Sequence, residues 1–417
     1  MKKILSTLKE NIVFCIFIVL VAACIILGKQ SPAYVVGELI SRFSRNSISI
    51  LSLIVPVLCG MGMNFGIVVG AMAGELGLIL VLHWHIGGVP GILLSMFIGS
   101  LFAIFFGWLT GRVYNKTKGQ ETLTGWVLGY FAFGLFNLIL INLFGKVIPF
   151  KDEVLMLSSG VGIRDTIGMA EMNSAFDNAL KVPLLTVIQW GTWIVFGLAL
   201  FLLLYRRFRM KKSWPEAVKS SIVYLVFGIL FIILINLTHI KSVNAVLKFT
   251  RVPVLTWILI AFVTVLIAYI TNTRWGQKVR VIGQNRKVAT ASGINVDRIR
   301  IEAVIVSTVL ACWGQIISLQ NLGTMNTYTA HEQVGTYAVA ALLVGGASLN
   351  KATVKQAYIG CILFHLLYFM APIAARNVFN NTMVGEYFRV FLSYGIIVIS
   401  LMMYAWNRIN ADKVKGE

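Results

Sequence analysis

The chain has 417 residues, of which 58% are hydrophobic and 12% are charged, and its formal net charge is +20. A soluble domain carries about 25% charged residues, so this composition excludes an ordinary soluble protein and places most of the chain in lipid. Apolar runs of about 20 residues, long enough to cross a bilayer as a helix, recur from end to end without the period-two alternation of barrel strands. We expect an all-α polytopic membrane protein with about ten to twelve transmembrane helices, some of them broken or half-spanning.

The first predicted span covers residues 11–28. Residues 21–24 (Val-Ala-Ala-Cys) are similar to a lipoprotein cleavage site, but the apolar run continues beyond Cys24, so we expect an uncleaved span. The five cysteines are isolated and lack the spacing of metal ligands, so neither a metal site nor a disulfide is expected. They are Cys15, Cys24, Cys59, Cys312 and Cys361.

Further along the chain, eight more clear spans are predicted, at 92–110, 123–143, 186–205, 217–238, 254–272, 301–320, 357–374 and 390–406. Two regions are less regular. Residues 47–82 are too long for one crossing and are interrupted by a glycine-rich stretch at 60–64, and residues 335–349 are short and rich in alanine and glycine. Glycine-punctuated runs at 60–77 and 335–347 suggest an inverted repeat of the kind that transporters use.

The positive charge lies in short clusters beside the apolar runs, mainly at 2–9, 206–212, 273–300 and 408–415. By the positive-inside rule these clusters lie in the cytoplasm beside anionic headgroups, so both termini are predicted to be cytoplasmic. With these basic clusters placed in the cytoplasm, the number of crossings between them can be counted. The count requires two crossings in 47–82, with a turn near 60–63. It also requires a crossing or half-crossing at 335–349. It leaves 145–183 as an external loop. No basic patch interleaved with aromatic residues points to nucleic acid.

Motifs for catalysis are missing from the sequence. It contains no phosphate-binding P-loop, no zinc-protease motif and no nucleophile elbow. No extramembrane segment is long enough for a soluble enzyme domain. We therefore expect no catalytic residues, no cofactor bound by this chain and no ATP hydrolysis by it.

Polar side chains at membrane depth are costly and therefore mark a candidate solute pathway, and aromatic side chains beside them could form a stacking wall for a sugar or base ring. Glu75 could bind a hydroxyl-rich solute or a proton, or it could be a hydrogen-bonded structural glutamate. Asn64 follows the glycine turn, where a broken helix would expose backbone to a solute, but a helix cap is an equal alternative. Aromatic stripes are also often simple packing. The pathway candidates are Asn64, Phe65, Glu75, Trp126, Tyr130, Asn137, Gln315 and Asn321.

The polar segment 273–300 carries seven Lys or Arg residues against one acid, Asp297. Asn285 can cap a helix that Gly293 would end in a left-handed conformation. The helix so defined, 286–292, has Val288, Ala291 and Ser292 on one small face. Because about two turns are marginal in water, this helix must pack either on its own protein or on a partner.

Three hypotheses follow. The chain could be a permease subunit powered by a separate ATPase docked on 283–293, a secondary transporter in which Glu75 or His365 carries protons, or a scaffold or receptor without transport. Secondary transport predicts several carboxylates at membrane depth, and Glu75 is nearly alone. The docked permease predicts one cytoplasmic segment with a short helix, as 273–300 has.

The same segment resembles the coupling region of bacterial ATP-binding-cassette (ABC) importer permeases of the branched-chain amino acid/ribose group. The resemblance rests on Trp275, Gly276, Arg280, Gly283, Asn285, Ala289 and residues 292–296 (Ser-Gly-Ile-Asn-Val), and on 339–348 with the Gly345-Gly346 pair. It is specific over 273–360. At 60–75 the chain departs from the sugar, nucleoside and amino-acid patterns of that group, which leaves the solute open.

The resemblance implies a single transmembrane permease domain over 1–417, in the cytoplasmic membrane of a bacterium. It implies a second permease chain, cytoplasmic ATPases that use ATP and Mg²⁺, and an external substrate-binding protein. A sugar or nucleoside is favoured because the spans offer aromatic and amide groups rather than paired charges. The residues expected to couple to the ATPase are Gly283, Asn285, Arg286, Lys287, Val288, Ala289, Ala291, Ser292, Gly293 and Ile294.

Overall fold

The computed structural model describes residues 12–150, 152–209, 213–381, 383–391, 394, 395, 397, 398 and 402. These residues fall into two compact units. Unit one contains the described residues up to 29, residues 42–179 and those from 255 onward, and unit two contains 30–41 and 180–254. Almost all of the regular structure is helical, as the composition predicts.

The elements before the second unit's long helices are α1 Ile12–Gly28, α2 Pro32–Leu51, α3 Ile54–Leu58, α4 Ile67–His83, α5 Gly88–Lys116, α6 Glu121–Asn142, β1 Thr166–Gly168, α7 Ala175–Ala179 and β2 Lys181–Pro183. Those that follow are α8 Leu184–Leu204, α9 Trp214–Asn236, α10 Lys241–Phe249, β3 Arg251–Pro253, α11 Val254–Asn272, α12 Arg274–Gln284, α13 Arg286–Ala291, α14 Val296–Leu322, β4 Thr324–Asn326, α15 Val334–Val344 and α16 Val354–Phe379.

Among the described residues, six helices are long and apolar enough to cross a membrane: Gly88–Lys116, Glu121–Asn142, Leu184–Arg209, Val254–Asn272, Val296–Leu322 and Val354–Phe379. Tyr224–His239 and Lys241–Phe249 together could form a seventh, bent by 114°, and three shorter apolar helices accompany them. The predicted all-α polytopic fold is confirmed. Most of the span expected at 390–406 lies outside the described residues, as do the two termini.

Helices α4, α5 and α14 form the centre of unit one and pack against one another along their length. Residues 274–300 lie at one end of these helices, which we call the coupling end. At the opposite end, which we call the far end, the ring of His83 stacks on Phe150 at a centroid distance of 4.0 Å. The strand β1 pairs there with β4 in antiparallel register, Ile167 opposite Met325. The 145–183 segment therefore contains short elements anchored to the far end of α14.

Helix α2 begins at Pro32, well before the crossing predicted to start at residue 47, and α3 continues it almost to the break at 59–66. The early start was missed because charged residues such as Glu38 and Arg42 interrupt the apolar pattern. The break itself was predicted. Gly60 and Gly62 in the break have φ values of +72° and +69°, which glycine adopts at little cost.

The second irregular region is a half-crossing. After β4 the chain turns back into unit one, and only 11 residues, α15, are helical before Gly345. The direction of α16 follows from α2: Cys361 Sγ lies 3.7 Å from Ser47 Oγ, and the Arg42 guanidinium lies 5.7 Å from the Tyr368 ring. Helix α16 is therefore antiparallel to α2, and its first turn lies toward the coupling end.

Helices α15 and α4 run in opposite directions from a common point. A methyl group built on Gly335, at the start of α15, would lie 2.9 Å from the Phe65 carbonyl oxygen, just before α4. From there α4 runs to the far end and α15 runs toward the coupling end. The predicted broken and half-spanning helices are thus confirmed. An inverted repeat requires this opposite polarity, although the repeat itself stays a prediction.

Unit two is built on the pair α8 and α9, which pack along each other. Strands β2 and β3 close the unit as a short antiparallel ladder with Val182 opposite Val252. Helix α10 crosses at 114° to the preceding helical segment. Its buried residue is Leu247, while Lys241 and Lys248 are exposed. The basic cluster predicted at 206–212 lies partly outside the described residues.

The contact between α15 and α16 generates a stability prediction. A methyl group on Gly360 would lie 1.9 Å from the Ala341 carbonyl oxygen, and one on Gly345 would lie 1.9 Å from the Gln356 carbonyl oxygen. We expect Gly360→Ala to lower the thermal midpoint of the purified protein in detergent, because overpacking costs about 1–3 kcal/mol. The matched control is Gly134→Ala, since Gly134 has no neighbour within 4 Å. Equal midpoints for both variants would contradict the close packing.

Candidate transport pathway and coupling site

The short helix α13 has the boundaries that its sequence predicts. The Asn285 side chain accepts hydrogen bonds from the backbone nitrogens of Lys287 (3.0 Å) and Val288 (3.2 Å), which satisfies donors that a helix start leaves free. Gly293 ends the helix with φ at +76°. The predicted helix, cap and stop are confirmed, whereas the role of α13 in coupling stays a prediction.

One side of α13 packs on its own protein. Ala289 is fully buried, in an apolar cluster that includes Cys59, Tyr114 and Ile282, and Ile294 packs half-buried against the same cluster. The other side is open: Val288 is 53% exposed, and Lys287, Ala291 and Ser292 are exposed as well. The predicted small face of Val288, Ala291 and Ser292 is therefore available to a partner, while Ala289 is not.

The segment before α13 is helical too: residues 274–284 form α12, whereas the sequence predicted a helix in this segment only at 286–292. In α12, Val279 and Ile282 are buried and Trp275 is half-buried. Trp275 also donates its indole N–H to Glu302 Oε2 at 2.7 Å. These apolar residues recur at helical spacing, but the surrounding charges concealed the pattern.

Gly283 lies at the end of α12, in close contact with the break before α4. A methyl group on Gly283 would lie 2.1 Å from the Leu58 carbonyl oxygen and 3.1 Å from the Gly60 nitrogen. Only a residue without a side chain fits there. Gly283 thus links the coupling segment directly to the backbone that precedes α4.

Arg286 is engaged within the chain. Its guanidinium donates to Glu121 Oε1 at 2.6 Å and to the Gly60 carbonyl at 3.1 Å. These contacts within the chain account for the position of Arg286, whereas Lys287 is exposed. Nothing in the sequence around Glu121 indicates this partner, which is 165 residues away.

Asn64 holds the broken backbone between α3 and α4 together. Its Oδ1 accepts from the Gly66 nitrogen at 3.0 Å and from the Tyr114 hydroxyl at 2.6 Å, and its Nδ2 donates to Ser307 Oγ at 3.3 Å. The side chain is buried. The N-cap residue of α4 is Gly66, and no side chain caps this helix, so the helix-cap alternative is not observed. Asn64 instead orders the turn before α4, and its polar atoms are bound to the protein itself.

Phe65, Trp126 and Tyr130 come together as an aromatic group. The Phe65 and Trp126 rings are perpendicular at 5.6 Å between centroids, and Trp126 lies 5.8 Å from Tyr130. A narrow cleft beside them is also lined by Glu332 and Thr336. The structure therefore brings three of the predicted pathway residues to one place, at the point where α4 and α15 begin.

Glu75 is fully buried and makes two contacts. Its Oε1 accepts from Gln315 Nε2 at 2.8 Å, and its Oε2 lies 2.8 Å from His331 Nδ1. His331 belongs to the non-helical stretch before α15, between the rings of Phe133 and Phe136. Glu75 thus fixes both this stretch and the orientation of Gln315. The sequence did not single out His331, because its partner is 256 residues away.

Gln315 lines the main cavity of unit one, which has a volume of about 380 Å³. That volume lies within the range of about 300–1,000 Å³ typical of small-molecule sites. Its polar lining residues are Asn46, Ser49, Gln315, Ser318, Thr324, Asn326, Thr329, Gln333, Tyr337 and His365. No Asp, Glu, Lys or Arg is among the described residues that line it. His365 Nδ1 is buried without a hydrogen-bond partner among the described residues.

The two remaining candidates do not line the cavity. Asn137 Nδ2 donates to the Tyr328 carbonyl at 3.2 Å. Asn321 Nδ2 donates to Asp177 Oδ2, and Asp177 Oδ1 accepts from the Thr256 hydroxyl at 2.6 Å. Both asparagines therefore bind neighbouring segments of the same chain. Among the described residues, no group of three or more His, Cys, Asp or Glu side chains could hold a metal ion.

The position of Glu75 generates a second stability prediction. Glu75→Ala leaves Gln315 and His331 buried without their acceptor, and an unsatisfied buried group costs about 1–3 kcal/mol. We expect a lower thermal midpoint and faster hydrogen exchange over 327–333 than in the wild type. Glu75→Gln retains an amide that can bond to both groups. Its thermal midpoint and its exchange rate should therefore lie between those of the wild type and those of Glu75→Ala. Exchange over 327–333 that is unchanged in Glu75→Ala would contradict the anchoring role.

Comparison with known proteins agrees with this arrangement. The profile of the family described as branched-chain amino acid transport system / permease component matches residues 45–405. The chain is also 26% identical over 153 residues to the ribose import permease protein RbsC of Haemophilus influenzae, a match that covers 36% of this chain and 45% of that permease. The aligned region thus spans less than half the length of this curated relative. No solved structure matches. Since the family profile covers most of the chain, the protein belongs to this family of ABC importer permeases.

Proposed function

We propose that the chain forms half of a solute pathway that is powered by a separate ATPase docked on α13. The observation that carries this proposal is the exposed face of Val288, Ala291 and Ser292. Helix α13 is too short to be stable alone and is held in place by buried Ala289, which packs in the apolar cluster. The buried side of this short helix packs on its own chain, and its exposed side is small and weakly apolar. Such a helix suits insertion into a groove of a partner protein.

The solute that the cavity suits best is small, polar and uncharged. Its described lining offers amide, hydroxyl and imidazole groups without a charged side chain. A zwitterionic amino acid would bury two charges there without partners, which is costly. The hydroxyl groups of a sugar or a nucleoside can hydrogen bond with these lining groups. The limited identity with a ribose import permease supports a sugar.

The remaining parts of the assembly follow from this proposal. A second permease chain completes the pathway, and an external substrate-binding protein delivers the solute at the far end. ATP and Mg²⁺ are bound by the cytoplasmic ATPase and not by this chain. The site of action is the cytoplasmic membrane of a bacterium, with both termini in the cytoplasm.

The docking surface is tested with Val288→Asp, which places a charge at the centre of the exposed face of α13. We expect co-purification of the ATPase with the permease to fall by about tenfold or more, as when a central interface anchor is lost. The protein should still reach the membrane, because Val288 is not part of the packed side of the helix. Uptake should fall to the same extent.

The matched control is Gln277→Asp on the exposed surface of α12. Normal ATPase binding by Val288→Asp, or loss of binding in Gln277→Asp alone, would overturn the docking surface. ATP depletion should stop uptake by the wild type, whereas a protonophore applied at constant ATP should not. The reverse result would favour the alternative, an ion-gradient-driven secondary transporter in which the buried Glu75–His331 pair carries the proton.

The solute class is tested in the cavity with Gln333→Leu and His365→Phe, each of which removes hydrogen-bonding groups while keeping a side chain of similar size. Each should lower uptake by about tenfold if one strong hydrogen bond to the solute is lost. Cells that lack the gene and carry each variant are assayed with radiolabelled ribose, galactose, adenosine and leucine. Asn142→Leu, outside the cavity, is the control. Uptake of leucine alone would contradict an uncharged solute.

A further inference from the structure

The carboxylate of Glu121, the first residue of α6, connects α13 with other parts of the chain. Its Oε1 accepts from Arg286 Nη2 at 2.6 Å and from Arg300 Nη2 at 2.7 Å. Its Oε2 accepts from the Gly119 nitrogen at 2.9 Å. The Glu121 side chain is 5% exposed. One carboxylate thus ties together the coupling helix, the start of α14 and the start of α6.

The charges of this cluster are unbalanced, with two guanidinium groups for one carboxylate. Arg300 is 0% exposed and distributes its charge to Asn115 Oδ1 at 2.8 Å and to the Tyr114 carbonyl at 3.1 Å. Buried ion clusters contribute little net stability compared with apolar packing, but breaking one is costly. The cluster is therefore better explained by the geometry that it fixes than by the stability that it adds.

From Glu121 the connection continues to the pathway by two routes. Helix α6 itself carries Trp126, five residues further on, and Tyr130 on the next turn. The second route passes through Arg286, which also holds the Gly60 carbonyl at 3.1 Å, at the break before α4.

The two routes meet again at Tyr114 and Asn64. The Tyr114 carbonyl accepts from Arg300, and its hydroxyl donates to Asn64 Oδ1 at 2.6 Å. A methyl group on Gly125 would lie 2.5 Å from the same hydroxyl and 3.1 Å from the Gly66 nitrogen, so no gap separates α6 from the break. A displacement of α13 therefore reaches the Phe65–Trp126 group through hydrogen bonds and close backbone contacts.

We propose that Glu121 is the positioning residue that transmits movement of the coupling helix to the solute pathway. The inference rests on the proposed docking of an ATPase on α13. It adds that docking of the ATPase alone is not sufficient for transport. Without the Glu121 carboxylate, the ATPase would still bind and hydrolyse ATP, but the start of α6 and the break before α4 would no longer follow α13.

The experiment measures solute taken up per ATP hydrolysed in proteoliposomes that contain the permease, its ATPase and its binding protein. In Glu121→Gln the shape of the side chain is kept and its charge is removed. We expect ATPase co-purification and ATP hydrolysis within about twofold of the wild type, and uptake per ATP lowered by about tenfold, a typical size for coupling between sites. A merely structural role would change binding, hydrolysis and uptake together.

A double-mutant cycle distinguishes the effect of breaking the Glu121–Arg286 contact from the effect of losing a charge in general. Arg286→Gln should show the same loss as Glu121→Gln, and the double variant should lose little more, because the two residues act through one contact. The matched control is Lys118→Gln. It removes the exposed ion pair of Lys118 with Asp297, 2.5 Å long and only three residues from Glu121, and should leave uptake per ATP unchanged.

Several results would overturn the proposal: normal uptake per ATP in Glu121→Gln, additive losses in the double variant, or an equal loss in Lys118→Gln. Loss of ATPase binding in Glu121→Gln would also overturn it, since Glu121 would then act in docking. If Glu121→Gln does not reach the membrane, Arg286→Lys decides instead, because it keeps the charge and loses the guanidinium that reaches both Glu121 and Gly60. Failure of the wild type to transport with any ATPase would refute the proposed function itself.

Discussion

Backbone that leaves helical geometry inside a bilayer must find its hydrogen-bond partners within the protein, because lipid offers none. This chain breaks its helices at 59–66 and again before α15, and the two breaks meet where the Phe65 carbonyl faces Gly335. Asn64 supports the first break through three hydrogen bonds. Glu75 supports the second through His331. The arrangement of the pathway depends on these two buried side chains.

The same constraint separates the polar residues at membrane depth into two groups. Asn64 and Glu75 form their hydrogen bonds with other groups of the protein and stabilise the broken backbone. His365, in contrast, has a buried nitrogen without a partner among the described residues, and Gln333 lines the same cavity. The residues that are most unusual in the sequence therefore hold the backbone, while less unusual ones line the cavity. The energetic cost of a polar side chain at membrane depth is similar in both groups. A pathway predicted from this cost alone therefore includes both groups without distinguishing them.

The sequence predicted well where local rules decide the structure. The cap at Asn285, the left-handed Gly293 and the break near Gly60 all follow from neighbouring residues. Contacts between distant segments could not be predicted. Glu121 and Arg286 are 165 residues apart, and Glu75 and His331 are 256 apart, so one sequence gives no sign of either pair. Helix α12 was missed for a different reason, because its buried residues are interleaved with lysine and arginine.

The two links between the coupling segment and the pathway differ in what they can transmit. At Gly283 and Gly60 the backbones are in such close contact that no side chain fits between them, so a push on α12 must move the break. Such a contact resists compression but offers little resistance to separation. The charged hydrogen bonds of Glu121 resist separation, because pulling Arg286 away would leave a carboxylate poorly paired in a buried site. A transport cycle requires movement in both directions, so the glycine contact alone could drive only half of it. In the coupling proposed for Glu121, the ion cluster supplies the return movement.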